Sequence, residues 1–260
     1  MTIDFAVTLF AIGFVGSFVS GMLGIGGSIV NYPLLLYVPP LVGVTALTAH
    51  DVTGINAVQV FFATLSGLFV FRKGGYLNKA LIGYMGVSIV AGSFIGGYGS
   101  NVASAAAINT TYAVLATLAA LLMIVPQKES DDVPLTEVTF HKPAAVAIGF
   151  AVGLAAGVVG AGGAFILVPL MLVVLKIPTR MTIATSLAVT FLSSIGTTAG
   201  KLLTGQVLFA PAAVVVVASL LAAPLGATVS KKVNVKWLQA LLVVLIVVTS
   251  LKIWVDVLGG

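Results

Sequence analysis

Two glycine-rich segments are the parts of this sequence whose residue types and spacing suggest ligand binding. They read Gly24-Ile25-Gly26-Gly27-Ser28 and Gly160-Ala161-Gly162-Gly163-Ala164. Glycine permits positive φ angles and a close approach of the backbone to a ligand. Each segment precedes an apolar, helix-like run, whose first backbone N–H groups have no intrahelical partner. Two converging helix N-termini would form a positive, donor-rich pocket, which predicts an anion site lined by Gly24, Gly26, Gly27, Ser28, Gly160, Gly162, Gly163 and Ala164.

Neutral polar side chains would have to complete this site, because no lysine or arginine lies near either glycine segment in the sequence. Hydroxyl and amide groups suit a dehydrated oxyanion, since each can donate a hydrogen bond without full charge pairing. The candidates are Asn31, Asn56, Gln59, Thr185 and Ser186. Thr190, Ser193, Ser194, Thr197 and Thr198 extend the hydroxyl-rich stretch, and we assign Thr197 and Thr198 to packing. The alternative for all of these is bonding between helices or to their own helix carbonyls.

Two adjacent ionisable residues, His50 and Asp51, lie about two turns into the otherwise apolar segment 45–71. An ionisable group within a membrane segment costs at least ~2.5 kcal/mol, so it is a functional candidate by default. His50 could donate to an anion when charged, and Asp51 could carry a proton coupled to transport. An equally good interpretation is that both residues cap a helix or lie at the membrane interface.

The elements that would position these residues occur twice. Residues 12–36 align with residues 148–172 at an offset of 136, with ten of 25 columns identical, including five glycines and a proline. Small residues four apart before each glycine segment predict close helix packing; they are Gly13, Ser17, Gly21, Gly149, Gly153 and Gly157. The sequence therefore predicts a first membrane repeat (1–125), a polar cytoplasmic linker (126–143) and a second repeat (144–260).

The composition shows which medium surrounds these repeats. Of 260 residues, 60% are hydrophobic and 7% are charged, and there is no cysteine. Because a soluble domain carries charge on roughly a quarter of its residues, a water-soluble enzyme is nearly excluded and a polytopic protein of the lipid bilayer is predicted. The net charge of +5 is typical of basic cytoplasmic loops rather than of nucleic-acid binding.

The placement of basic residues discriminates between two topologies. Each half has a long apolar segment, the glycine break, a shorter apolar run and three further long segments. If the chain crosses straight through each break, Lys and Arg divide 7 against 5 between the two sides; if it turns back, they divide 10 against 2. On the minority side, Lys201 and Lys252 would lie in loops or snorkel. The positive-inside rule therefore predicts two inverted-topology repeats, each a glycine-broken helical hairpin plus three transmembrane helices, with both termini outside.

The duplicated motifs resemble the TauE/SafE sulfite exporter family, also called TSUP. The resemblance is carried by Gly21-Met22-Leu23-Gly24-Ile25-Gly26-Gly27 through Pro33-Leu34, by Gly157-Val158-Val159-Gly160-Ala161-Gly162-Gly163 through Pro169-Leu170, and by Ala184-Thr185-Ser186. It implies an all-α, multi-pass protein of the bacterial cytoplasmic membrane that moves sulfite, sulfonates or other small sulfur-containing or organic anions. The first half has Ala49-His50-Asp51 where the second has Ala184-Thr185-Ser186, so the two halves of the site are not chemically equivalent.

We therefore expect a secondary transporter for a small oxyanion, sulfite or an organosulfonate, with access alternating around the paired glycine breaks. A passive anion channel on the same fold is the first alternative, and an intramembrane enzyme using His50 and Asp51 is a weaker one. No phosphate loop, nucleophile motif or metal-ligand cluster is present in the sequence, so we expect no catalytic residues, no metal and no cofactor. The exact substrate, transport direction, coupling ion and oligomeric state stay open at this stage.

Overall fold

A computed structural model describes residues 1–23, 28–71, 77–124, 138, 140–230, 237, 240, 244, 247, 248 and 250–256. All regular secondary structure within those residues is helical. Residues Ser100–Val102 form a short 3-10 turn, and residues 250–256 are also helical. The helices are α1 (Ile3–Leu23), α2 (Ser28–Leu41), α3 (Ala49–Phe71), α4 (Lys79–Gly99), α5 (Ala105–Ile124), α6 (Lys142–Val159), α7 (Ala164–Val173), α8 (Thr179–Leu203) and α9 (Phe209–Ser230).

Several of these helices are long and apolar enough to cross a bilayer. By length and composition, five spans within the described residues qualify: Ile3–Met22, Lys79–Val102, Ala105–Leu122, Lys142–Val159 and Phe209–Val229. Large apolar side chains such as Val87, Ile95 and Leu121 are exposed on their outer faces, where lipid would cover them. The predicted all-α polytopic membrane fold is therefore confirmed.

The glycine contacts establish the relative directions of the helices. In α4, Gly92 and Gly96 face the backbone of Phe150 and Leu154 in α6. Because the residue numbers rise together, α4 and α6 are parallel. Contacts of Gly86 with Leu192 and of Gly97 with Thr197 make α8 parallel to α4 as well. The three helices α4, α6 and α8 consequently begin at the same end of the bundle, which we call the α4 end.

The opposite end of the bundle, which we call the α3 end, is where α3 begins. There, Gly54 of α3 faces Gln206 and Val207, just before α9, so α9 also begins at the α3 end. Helix α1 runs parallel to α9, since Gly13 faces Val215 and Gly21 faces Ala223. Helix α1 therefore runs away from the α3 end and α2 runs back to it. Helix α6 runs away from the α4 end and α7 runs back to it.

Small residues hold the first helix of each hairpin against a helix from the other half. Cβ atoms at Gly149, Gly153 and Gly157 of α6 would collide with α4, and one at Gly21 of α1 would collide with the backbone of α9. Ser17 of α1 bonds to Ser219 of α9 through their hydroxyls, at 2.7 Å. The packing role predicted for these four-apart residues is confirmed, and each half depends on the other for its hairpin.

Substitution of a glycine in α4 should separate packing from helix propensity. Gly96→Ala places a methyl group against the carbonyl oxygen of Leu154 and should destabilise the protein by about 1–3 kcal/mol through overpacking. Gly83→Ala, in the same helix, meets no atom within 4 Å and should stabilise it by roughly 0.5–1 kcal/mol. Thermal unfolding in detergent measures both changes. Equal effects of the two variants would contradict this account of α4 packing.

Candidate functional site

The second glycine segment is a sharp break between α6 and α7. Gly160 ends α6 with φ 74°, and Gly162 and Gly163 have φ 63° and 81°. Side chains are disfavoured at such angles, which is why glycine occupies all three positions. Gly163 is also the N-cap of α7 and has no side chain to satisfy the first N–H groups of that helix. The corresponding predictions for Gly24, Gly26 and Gly27 lie outside the described residues.

The beginning of α2 contacts the second break. Ser28, the first residue of α2, is fully buried and its hydroxyl donates to the carbonyl oxygen of Ala161, inside the second break, at 2.7 Å. Tyr112 of α5 supports both helices that follow the breaks: its hydroxyl donates to the carbonyl of Ile29 at 2.6 Å, and its ring centroid lies 6.4 Å from that of Phe165. Ser28 thus joins the beginning of α2 to the second break, while Ala164 begins α7 as a buried residue; the convergence of two helix N-termini on an anion stays a prediction.

Three predicted site residues, Asn31, Asn56 and Gln59, are fully buried. Asn31 lies against Gly16 of α1 through its side-chain oxygen, and Gln59 donates from Nε2 to the hydroxyl of Ser17 at 3.1 Å. Asn31 and Gln59 therefore converge on adjacent residues of α1. Asn56 lies nearly one turn before Gln59 on α3.

Unpaired polar atoms mark the surroundings of the second break. Within the described part of the chain, the buried side-chain atoms without a hydrogen-bond partner are Oδ1 and Nδ2 of Asn31 and of Asn56, Oε1 of Gln59, Oγ1 of Thr190 and Oγ of Ser193. A Cβ atom at Gly162 would lie 2.6 Å from Val60 Cγ1 and 2.9 Å from Thr190 Cγ2. Because Val60 and Thr190 lie midway along α3 and α8, the break is flanked at mid-height by the two helices that carry most of the unpaired groups.

A buried lysine corrects the expectation that no basic group approaches a glycine break. Lys201, in the last turn of α8, is fully buried and donates to Thr53 Oγ1 at 2.9 Å. The backbone carbonyl of Thr53 in turn lies against Gly160. Lys201 also neither snorkels nor lies in a loop. The sequence did not predict this contact, because Lys201 is far from Gly160 along the chain and only the fold places the end of α8 beside Thr53.

Comparison with known proteins identifies the family. The sequence profile described as "Sulfite exporter TauE/SafE" matches residues 9–253. The chain belongs to the TauE/SafE sulfite exporter family. A "Probable membrane transporter protein YunE" from Bacillus subtilis (strain 168) is 25% identical over 249 residues, 88% of this chain and 90% of the relative. A "Probable membrane transporter protein" from Xylella fastidiosa (strain 9a5c) is 30% identical over 195 residues, 72% of this chain and 70% of the relative. No solved structure gives a significant match.

Membership of the TauE/SafE family, together with these relatives, confirms that the chain is a multi-pass membrane transporter and not an enzyme. The family match covers both hairpins and the helices between them, since it runs from residue 9 in α1 to residue 253 near the C-terminus. The contacts described above therefore all belong to the transporter fold.

Within this TauE/SafE transporter, Thr185 points toward the beginning of α4, whereas Ser186 lies one turn before Thr190 on the same side of α8. Both are fully buried in the second turn of α8. Thr185 accepts a hydrogen bond from the backbone N–H of Asn78 at 3.2 Å, at the beginning of α4. The contact places Thr185 toward the α4 end of the bundle, about one and a half turns before Thr190.

His50 and Asp51 occupy the first turn of α3, because that helix begins at Ala49. The sequence-based placement two turns inside a segment was wrong. The Asp51 carboxylate accepts from the backbone N–H and the hydroxyl of Thr48, at 2.9 Å and 2.7 Å, while its own N–H donates to Thr48 Oγ1 at 3.2 Å. These reciprocal bonds form a capping box. His50 is half-buried, and its carbonyl accepts from the hydroxyl of Thr53.

The unpaired amide of Asn56 should lower stability in the absence of ligand. A buried polar group without a partner costs about 1–3 kcal/mol, so Asn56→Leu should leave the thermal stability of the ligand-free protein unchanged or raise it. Tyr112→Phe is the matched control, because it removes a buried hydroxyl that is paired with the Ile29 carbonyl, and it should cost about 1 kcal/mol. A loss of stability in Asn56→Leu as large as that in Tyr112→Phe would show that Asn56 is a structural residue.

Proposed function

We propose that this transporter moves a small oxyanion, sulfite or an organosulfonate, through a site between the two hairpin tips. The observation that carries the proposal is the group of buried, unpaired polar atoms on Asn31, Asn56, Gln59, Thr190 and Ser193. Such groups are costly inside a protein unless something binds to them. A dehydrated oxyanion accepts several hydrogen bonds, so it would pair with the amide N–H groups of these side chains and the hydroxyls of Thr190 and Ser193, and not with their amide oxygens, which only accept.

The electrostatic environment favours an anion over a cation at this site. Helices α2 and α7 both begin at the hairpin tips, so the positive ends of their dipoles face the site. When protonated, Lys201 would add a positive charge at the hydroxyl of Thr53, whose backbone carbonyl lies against Gly160. The carboxylate of Asp51 is held in a capping box with Thr48. Because hydrogen-bond donors, helix N-termini and a lysine lie near the second break, and no carboxylate among the described residues contacts it, a small anion fits best.

Alternating access is the mechanism that the arrangement of the hairpins supports. The α1–α2 hairpin returns to the α3 end and the α6–α7 hairpin to the α4 end, while their tips meet at Ser28 and Ala161. Inverted repeats of this kind can rock against each other around a central site. We further propose that the chain consists of a first repeat (1–125), a cytoplasmic linker (126–143) and a second repeat (144–260). Both termini then lie outside the bacterial cytoplasmic membrane.

Coupling to protons through Asp51 remains a separate prediction. In Asp51→Asn the cap can still form, because asparagine accepts hydrogen bonds as aspartate does. An anion flux driven by a pH gradient that is as strong in Asp51→Asn as in wild type would remove Asp51 from the mechanism. Uphill flux in the wild type would also separate a coupled transporter from a passive channel.

Uptake of radiolabelled sulfite into proteoliposomes tests the site. Asn56→Leu and Gln59→Leu each remove a hydrogen-bonding group from the bound anion, so the half-saturating concentration should rise about tenfold, the effect of roughly 1.4 kcal/mol. Ser88→Ala is the control, because Ser88 bonds to carbonyls of its own helix at Tyr84 and Met85. Wild-type kinetics in both α3 variants, at equal amounts of folded protein, would refute this location for the site.

Single-cysteine labelling tests the topology, since the chain has no cysteine of its own. Asn101→Cys lies in the exposed turn after α4, at the α3 end, and should react with an impermeant maleimide added outside intact cells. Ser130→Cys, in the predicted cytoplasmic linker, should react only after the cells are opened. The reverse pattern would show that the proposed orientation is inverted. Labelling of both cysteines from outside would show that positions 101 and 130 do not lie on opposite sides of the membrane.

A further inference from the structure

Lys201 is a buried cation whose acceptors are all neutral. Its Nζ donates to Ser100 Oγ at 2.8 Å, Thr53 Oγ1 at 2.9 Å and Gln206 Oε1 at 3.2 Å. These three hydrogen bonds satisfy the donors of the ammonium group. They do not supply a negative charge, which a buried cation ordinarily requires.

The described residues offer Lys201 no carboxylate partner. The ion pair found among them joins Lys252 to Asp256, at 2.9 Å and near the C-terminus. Asp51 is close to Thr53 in sequence, but its carboxylate is bonded to Thr48. The end of the α8 dipole favours a cation in its last turn, but it is only a partial charge. The protonated form of Lys201 would therefore place an uncompensated positive charge inside the α3 end of the bundle.

A polar face of α8 connects Lys201 to the hairpin tips. Thr190, Ser193, Thr197 and Lys201 follow one another at spacings of three and four residues, which places them on one side of the helix, and all four are fully buried. Thr190 borders Gly162, and Lys201 reaches Gly160 through Thr53. At 1.5 Å per residue the face is about 16 Å long. It runs from the middle of the bundle toward its α3 end.

We propose that Lys201 is a cationic subsite for the transported oxyanion, between the hairpin tips and the α3 end of the bundle. This subsite rests on the proposed anion transport. An anion that moves along the polar face of α8 brings the negative charge that Lys201 lacks. One of its oxygens replaces Gln206 Oε1, the most distant of the three acceptors, while Thr53 and Ser100 keep their bonds to Nζ. Gln206 stays in place when this bond is exchanged, because its Oε1 also accepts from Ser100 at 3.0 Å and its Nε2 donates to Thr204 Oγ1 and to the Gly97 carbonyl.

A purely structural role for Lys201 makes different predictions. Its bonds join α3, the turn after α4, and the α8–α9 connection, so removing the lysine would then alter stability without altering the affinity for an anion. The substitution Gln206→Glu separates the two roles. A carboxylate at this position would pair with Lys201, supply the missing charge from within the protein and compete with an external anion.

The experiment measures the thermal midpoint of the purified full chain as sulfite is added at constant ionic strength, together with sulfite uptake into proteoliposomes. In Lys201→Gln and in Gln206→Glu we expect the half-saturating sulfite concentration to rise at least about tenfold, as for the loss of one charge-assisted hydrogen bond. Lys201→Arg keeps the charge and should stay closer to wild type than Lys201→Gln. Lys79→Gln, which removes an exposed lysine at the α4 end, should match wild type.

The outcomes distinguish this subsite from the transport proposal on which it rests. Unchanged sulfite affinity in both Lys201→Gln and Gln206→Glu would overturn the subsite and leave anion transport standing. A wild-type protein that neither binds nor takes up sulfite or an organosulfonate would overturn both. If Lys201→Gln does not fold, Gln206→Glu decides alone, compared with wild type at equal amounts of folded protein: weaker sulfite binding supports the subsite, and wild-type binding overturns it.

Discussion

The fold depends on the need to satisfy the backbone wherever a helix stops inside the membrane. In a bilayer, a broken helix exposes N–H and C=O groups that lipid cannot bond, so irregular backbone is tolerated only when protein or an aqueous cavity covers it. Here the first hairpin provides part of that cover for the second, because Ser28 bonds to the carbonyl of Ala161. The long helix of each hairpin is held by the opposite half through glycine contacts, as between Gly153 and Ile89. Neither half would be stable in lipid without the other.

This mutual dependence explains what could be predicted from the sequence. Glycine at a positive φ angle has few substitutes, so the breaks around Gly160, Gly162 and Gly163 leave a clear and duplicated pattern. Burial of an amide in a membrane segment is similarly conspicuous, and Asn31, Asn56 and Gln59 were predicted as site residues on that ground and are fully buried. Sequence reasoning identifies most readily those residues that few other residue types can replace, or that cost free energy when they are buried in a membrane segment.

Other parts of the site could not be selected from the sequence, because they depend on helix ends and on distant contacts. From the sequence, a proton carrier inside the membrane and a helix cap were equally good interpretations of Asp51, and only the start of α3 at Ala49 shows that its carboxylate caps the helix. Among the many hydroxyls of α8, Thr190 and Ser193 stand out only once the packing shows that their oxygens lack partners. Lys201 was assigned to one membrane side by counting charges, whereas the fold directs it inward to Thr53 and Ser100.

Lys201 also changes the physical picture of how a transporter with so few charges could handle an anion. Helix dipoles and neutral donors at the hairpin tips attract an anion moderately, and a fully paired salt bridge there would hold it too long for transport. A lysine placed away from the tips, and already bonded to neutral oxygens, would provide long-range attraction without a rigid pair. Its bonds to Thr53, Ser100 and Gln206 can be exchanged one at a time, so the positive charge need never lose all of its partners. Scarcity of charge and the capacity to bind and release an anion are therefore compatible in one bundle.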